Sequence, residues 1–184
     1  MANATALLDP TPPAGEEARV AKVFGMAEDM IGFVPAGMRL YGISPPLLET
    51  FAGTVGYFRA GSRLSAQLTA MIRYLVSDRA DCRFCIDLNE QILLGIGLDL
   101  DAIRAARGDP DRAPLADAKE RPLLELALAA VDDPNGDKAA MIEAARAAGW
   151  SDRDIFDAVL QAASNRAFNH VLKAFNVEHQ GAFA

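Results

Sequence analysis

Apolar residues return every three or four positions along most of this chain, and glycines and prolines cut that rhythm into pieces of helical length. This periodicity restricts the fold to helices burying stripes against other helices. Residues 16–30 open with acids and carry Val20, Val23, Phe24 and Met30 on one stripe, before Gly32 and Pro35 break it. Ser44-Pro45 pairs a capping residue with a preorganised first helical position, and Gly61 closes the segment that follows. Ser65 opens a helix with Leu68, Met71, Ile72, Leu75 and Val76 at helical spacing. Asp81 is placed to cap the next helix, which runs to about Leu94 and stops at Gly95 and Gly97. A short helix spans 99–108, a polar connection 109–118, and further helices 120–131 and 137–148. Ser151 with Asp154 reads as a capping box. It opens a long helix whose expected apolar stripe is Ile155, Phe156, Val159, Leu160, Ala163, Phe168, Val171, Leu172 and Phe175. No segment reads as a convincing strand.

With 184 residues, 51% of them apolar, the chain can build one core without disulfide or metal support. The expected organisation is a mobile arm over 1–15, rich in proline, and one all-helical domain over 16–184. A net charge of −7 argues against nucleic acid and anionic membrane surfaces as partners. The seven-residue apolar run Ile92 to Leu98 is far short of the about 20 residues that span a bilayer. The N-terminus has neither a basic region nor a long apolar one, so a cytoplasmic location is expected.

The two cysteines form a single C-x-x-C: Asp81-Cys82-Arg83-Phe84-Cys85-Ile86-Asp87-Leu88-Asn89. In a reducing compartment such a pair points to a redox dithiol or to half a metal site. Zinc usually takes four ligands, and neither a second C-x-x-C nor an H-x-x-x-H is present, so no metal and no cofactor is expected. At about 100° per residue, Cys82, Cys85 and Asn89 share one helix face. The unpaired N–H groups and positive dipole end of a helix N-terminus favour thiolate, the form that attacks peroxides and disulfides. Arg83 adds to that field and Asp81 opposes it. The redox reading requires the shared face to be reachable and the sulfurs to be within bonding distance. A thioredoxin-like reading fails, because no strand precedes the motif.

Three segments carry a family resemblance. GFVPAGMRLYGISPPLLETFAG, LSAQLTAMIRYLVSDRADCRFCIDLN and AARAAGWSDRDIFDAVLQAASNRAFNHVLKAFNVE, in this chain order, resemble the alkyl hydroperoxidase D and carboxymuconolactone decarboxylase superfamily over roughly residues 18–178. The resemblance implies an all-α, multi-helix orthogonal bundle that assembles as a homo-oligomer, a trimer or hexamer. It implies peroxide reduction by the two cysteines, with a thiol reductant protein as electron donor. In members with the full motif, a histidine four residues after the second cysteine and a glutamate about twelve before the first relay protons. Here Asn89 stands at the histidine position, and Ala70, flanked by Thr69 and Met71, at the glutamate position. An amide hydrogen-bonds a thiolate but does not take its proton near neutral pH. Losing a general base removes about 10²–10⁴-fold in rate, so a weakened peroxidase is expected.

The histidines are His170 and His179. His170, beside the stripe of the last helix, is the candidate to reach the dithiol from across the core; its alternative is ordinary packing. Three functions follow: a Cys82/Cys85 peroxidase or disulfide reductase acting on a small hydroperoxide, a non-catalytic helical oligomer or redox sensor that keeps the dithiol, and a decarboxylase-like lyase independent of it.

Overall fold

The computed structural model describes residues 7–177, which form nine α-helices and no strand. The chain therefore has the all-α class its periodicity implies. The first six residues of the expected arm, and His179, lie outside the described residues. Within the arm, the Leu7 N–H donates to the Phe175 carbonyl at 3.0 Å.

The sequence signals act locally as physics requires. Helix α1 (Glu17–Ile31) ends at Gly32, whose φ of 83° lets its N–H turn back to the Glu28 carbonyl. Helix α2 (Ala36–Tyr41) was not expected. Pro35 starts it, its carbonyl accepting from Met38 and Arg39 N–H. Helix α3 (Pro45–Gly56) begins at its proline, but Ser44 contributes only its backbone carbonyl to Leu48, not the hydroxyl cap the sequence suggests. One wide π-type turn, Tyr57–Gly61, extends α3.

Helix α4 (Ala66–Arg79) is capped by the Ser65 hydroxyl and buried on nearly every side, including Leu68, Met71, Ile72, Tyr74, Leu75 and Val76. It is the central helix, as an apolar circumference demands. Helix α5 (Arg83–Gly95) packs along it, followed by α6 (Leu100–Gly108), α7 (Arg121–Asp132) and α8 (Ala139–Ala147). Helix α9 (Asp152–Ala174) lies against α4 and α7 and opens with the expected capping box of Ser151 and Asp154. None of these helices is long and apolar enough to cross a membrane.

The apolar stripe expected on α9 holds at Ile155 and Leu172, which are buried, and is corrected at other positions. Phe156 is 62% exposed and Leu160 38%, while Asp154, Asp157, Gln161, Asn165 and Asn169 face inward with Ala158 and Ala162. The alanines allow α9 to approach α4 and α7 closely. The polar side chains are tolerated because partners on other elements meet them: Arg63 at Asp154, Tyr57 at Asp157, and Ser77 at both asparagines.

Candidate functional site

The site is made by the turn from α4 into α5. Asp81 adopts φ 51°, a left-handed conformation that aspartate tolerates better than most residues. Its N–H returns to Asp78 O at 2.9 Å, and the Cys82 N–H to Ser77 O at 3.0 Å. Reversing the chain here occupies Asp81, so it cannot cap α5 as the sequence suggests. Cys82 itself takes the cap position, with no side-chain capping bond, and Cys85 is the third helical residue. The two sulfurs lie 2.7 Å apart, facing each other within bonding reach.

The exposed face expected of the dithiol is not found. Cys82 is 0% and Cys85 2% exposed, clustered with Ala36 and Leu40 of α2, Leu172 of α9, Phe84 and Val177. The reason is α2, which packs onto the C-terminal half of α9. A Cβ on Gly37 would stand 2.6 Å from Phe168 Cζ and 3.1 Å from Leu172 Cδ1. A side chain at Gly37 would force Phe168 to shift, so glycine lets α2 lie close against α9 and over the cysteine pair.

Asn89 is buried one turn beyond Cys85, on the face the sequence places it. Its Nδ2 donates to the Cys85 carbonyl at 2.8 Å, and its Oδ1 accepts from Arg73 Nε at 2.9 Å. Arg73 was missed by the sequence reading; its signal was a single cation inside the otherwise apolar run of α4, Met71-Ile72-Arg73-Tyr74-Leu75-Val76. Burial pushes its guanidinium down to about 10. Ala70 and Met71 are core residues, and the Thr69 hydroxyl bonds the Ala66 carbonyl at 3.0 Å.

A polar seam backs the site. Asn165 Nδ2 donates to Arg73 O at 3.1 Å and to Ser77 Oγ at 3.0 Å, and Asn169 Nδ2 donates to Ser77 Oγ at 3.2 Å. Two asparagines four residues apart on the longest helix were the signal for this seam. Lys173 Nζ donates to Ala80 O at 3.0 Å, closing the end of α4. His170 is exposed, so α9 presents Asn169, not His170, to the interior.

On another side of α5, buried Glu90 accepts from Tyr74 Oη at 3.1 Å, Arg104 Nη2 at 2.8 Å and Arg107 Nη2 at 3.1 Å. Burial pushes its pKa up, but the bonds from Arg104 and Tyr74 and the two guanidinium charges outweigh this and hold it below the usual carboxylate range. Burial, with the Glu90 charge, pushes Tyr74 up to about 12 against the opposing pull of Arg107. Among the described residues, no group of three or more His, Cys, Asp or Glu side chains is placed to hold a metal ion.

No protein-family model and no curated protein matches the chain. Solved structures do. A peroxidase-related protein from Silicibacter sp. TM1040 superposes with a TM-score of 0.82 at 24% identity, covering 97% of this chain and 93% of that one. A peroxidase-related protein from Ralstonia eutropha JMP134, described as an alkylhydroperoxidase AhpD core, gives a TM-score of 0.84 at 18% identity, covering 99% and 96%. The debrominase Bmp8 gives 0.74 at 20% identity, covering 99% and 95%. The shared property is the architecture, end to end.

Proposed function

We propose that this chain, which has the alkylhydroperoxidase AhpD-type fold, is a thiol-dependent oxidoreductase whose Cys82 and Cys85 reduce a small hydroperoxide. The observation that carries this reading is the 2.7 Å approach of the two sulfurs at the first turn of α5. In the proposed cycle, one cysteine loses its proton to solvent. The thiolate then attacks the peroxide, forming an S–O bond as the O–O bond breaks. The leaving alkoxide takes a proton from water, and the sulfur becomes a sulfenic acid. The second thiol displaces hydroxide from it, giving a disulfide and water. An external dithiol protein returns the pair to its reduced state by thiol–disulfide exchange.

Two structural features set the pace. Both ends of the Asn89 amide are engaged, by Arg73 and by the Cys85 carbonyl, and an amide is no base. The cover of Ala36, Leu40 and Leu172 must part before a peroxide meets sulfur. A slow peroxidase is the expected behaviour. A cytoplasmic location and a homo-oligomeric state belong to the same proposal, with exposed Phe156 and Leu160 offering apolar surface for contact between copies.

Burial of both sulfurs favours a second reading, a redox sensor that forms its disulfide without turnover. The two are separated by measuring peroxide consumption with a dithiol reductant, and thiol content before and after peroxide, in the wild type, Cys82→Ala and Cys85→Ala. Catalytic consumption abolished by either substitution supports the peroxidase. Thiol loss without turnover supports the sensor. Consumption that survives both substitutions, or thiols that resist peroxide altogether, overturns the dithiol chemistry.

A further inference from the structure

Resting on the dithiol chemistry above, we propose that Arg73 is a positioning charge for this site: clamped by Asn89 one turn from Cys85, it stabilises the Cys85 thiolate and so supplies by charge a part of the activation that a proton-accepting side chain would provide.

The clamp has one possible orientation. A guanidinium only donates and a backbone carbonyl only accepts, so the Asn89 amide must point Oδ1 at Arg73 and Nδ2 at the Cys85 carbonyl. Residues four apart on a helix have Cβ atoms about 5–6 Å apart. Asn89 therefore sets the guanidinium beside the dithiol's helix face and ties it to the backbone of Cys85 itself.

The charge of Arg73 is left uncancelled. Among the described residues it makes no salt bridge, and its terminal nitrogens take no protein acceptor. Arg104 and Arg107 differ: both are committed to Glu90. Even lowered to about 10, Arg73 remains a cation at neutral pH. Arg73 is half-buried, so its charge is partly solvated and partly screened from water by the helices around it. Thiolate formation one turn from Asn89 supplies an anion on the protein side of this half-buried guanidinium, where attraction is less screened than in open water.

The other charges around the motif do not duplicate this role. On α4, Asp78 faces Arg107. In the turn and the first residue of α5, Asp81 and Arg83 are exposed and of opposite sign. Asp87 lies about 200° round α5 from Cys85, and Glu90 is held by its arginines. On α2, Arg39 bonds the Val34 carbonyl and lies over the Phe24 ring. On α9, His170 is exposed and Lys173 is held at the Ala80 carbonyl, on the Cys82 side of the turn. Arg73, half-buried, is the cation linked through Asn89 to the Cys85 backbone.

The test uses the full chain carrying Cys82→Ala, so that Cys85 is its sole thiol. Iodoacetamide alkylates only thiolate, so the midpoint of its rate against pH reports ionisation and the plateau at high pH reports access. Arg73→Met is expected to move the midpoint up by about one pH unit, slowing alkylation at pH 7 about tenfold. Arg73→Lys retains the charge and should leave the midpoint near that of the parent. Asn89→Ala releases the guanidinium from its tie to Cys85 without adding a charge and should also move the midpoint up. An unchanged midpoint in a folded Arg73→Met protein, or an equal rise in Arg73→Lys, overturns the proposal. If Arg73→Met does not fold, an unchanged or lowered midpoint in Asn89→Ala overturns it alone. A wild type that consumes no peroxide, together with these midpoint shifts, removes the peroxidase reading and leaves the role of Arg73 standing.

Discussion

Leu172→Ala tests whether the apolar cover both stabilises the fold and guards the dithiol. Leu172 is 0% exposed and belongs to the cluster that contains Cys82 and Cys85. The substitution removes three carbons, about 2.4 kcal/mol at about 0.8 kcal/mol per buried methylene. A cavity term is added, at about 24 cal/mol per Å³ left unfilled. Refilling is limited, because Gly37 opposite has no side chain to offer; only the half-buried Phe168 ring can swing inward. The sum is about 3 kcal/mol, which for a chain of 184 residues lowers Tm by about 6–12 °C. The same cavity lies over the sulfurs, so the rate of thiol labelling by a bulky disulfide reagent should rise at least about tenfold at temperatures well below the new Tm. Calorimetry and labelling on one preparation read both effects. A large fall in Tm with unchanged labelling refutes the reasoning, because Leu172 would then stabilise α9 without covering the site.

Two further outcomes follow from the ion pairs and caps of the fold. Glu90→Gln leaves two guanidiniums facing a neutral amide and should cost about 3 kcal/mol at pH 7. Because the folded state holds Glu90 below its ordinary value, its contribution is present above the unfolded carboxylate's pKa of about 4.3 and is lost as pH falls through the lower folded value. Denaturation curves of wild type and variant should therefore converge in acid, and a gap that persists at the lowest pH contradicts the ionic account. Ser151→Ala removes the hydroxyl that accepts from Asp154 N–H and should lower Tm by about 2–4 °C, from a cap worth about 1 kcal/mol. A shift below 1 °C would mean that Asp154, through its own bond to the Ser151 backbone N–H and its pairing with Arg63, holds the helix start unaided.

Much of the fold was legible because its signals are local. The periodicity of α4, the glycine end of α1 and the capping box of α9 each depend on residues within a turn of one another. The pairing of Cys82 with Cys85 was legible for the same reason: three residues at the start of a helix bring two side chains together wherever that helix lies. The inward face of α9 was not legible. Hydrophobicity alone assigns Phe156 and Leu160 to the core, whereas the interior took Asn165 and Asn169 because Ser77 and the Arg73 carbonyl, about ninety residues earlier, were there to bond them. Helix α2 escaped because six residues between Pro35 and Gly42 carry too little periodicity to be read.

By itself, then, the sequence determined an all-helical chain and a dithiol on the first turn of one of its helices, since both follow from spacing along the backbone. Tertiary structure alone decided that the dithiol is covered and that Asn89 is answered by Arg73. The cover and the Arg73–Asn89 bond come from α2, α4 and α9, and which side chains those helices bring to this turn depends on how separate helices pack, a quantity no local pattern contains.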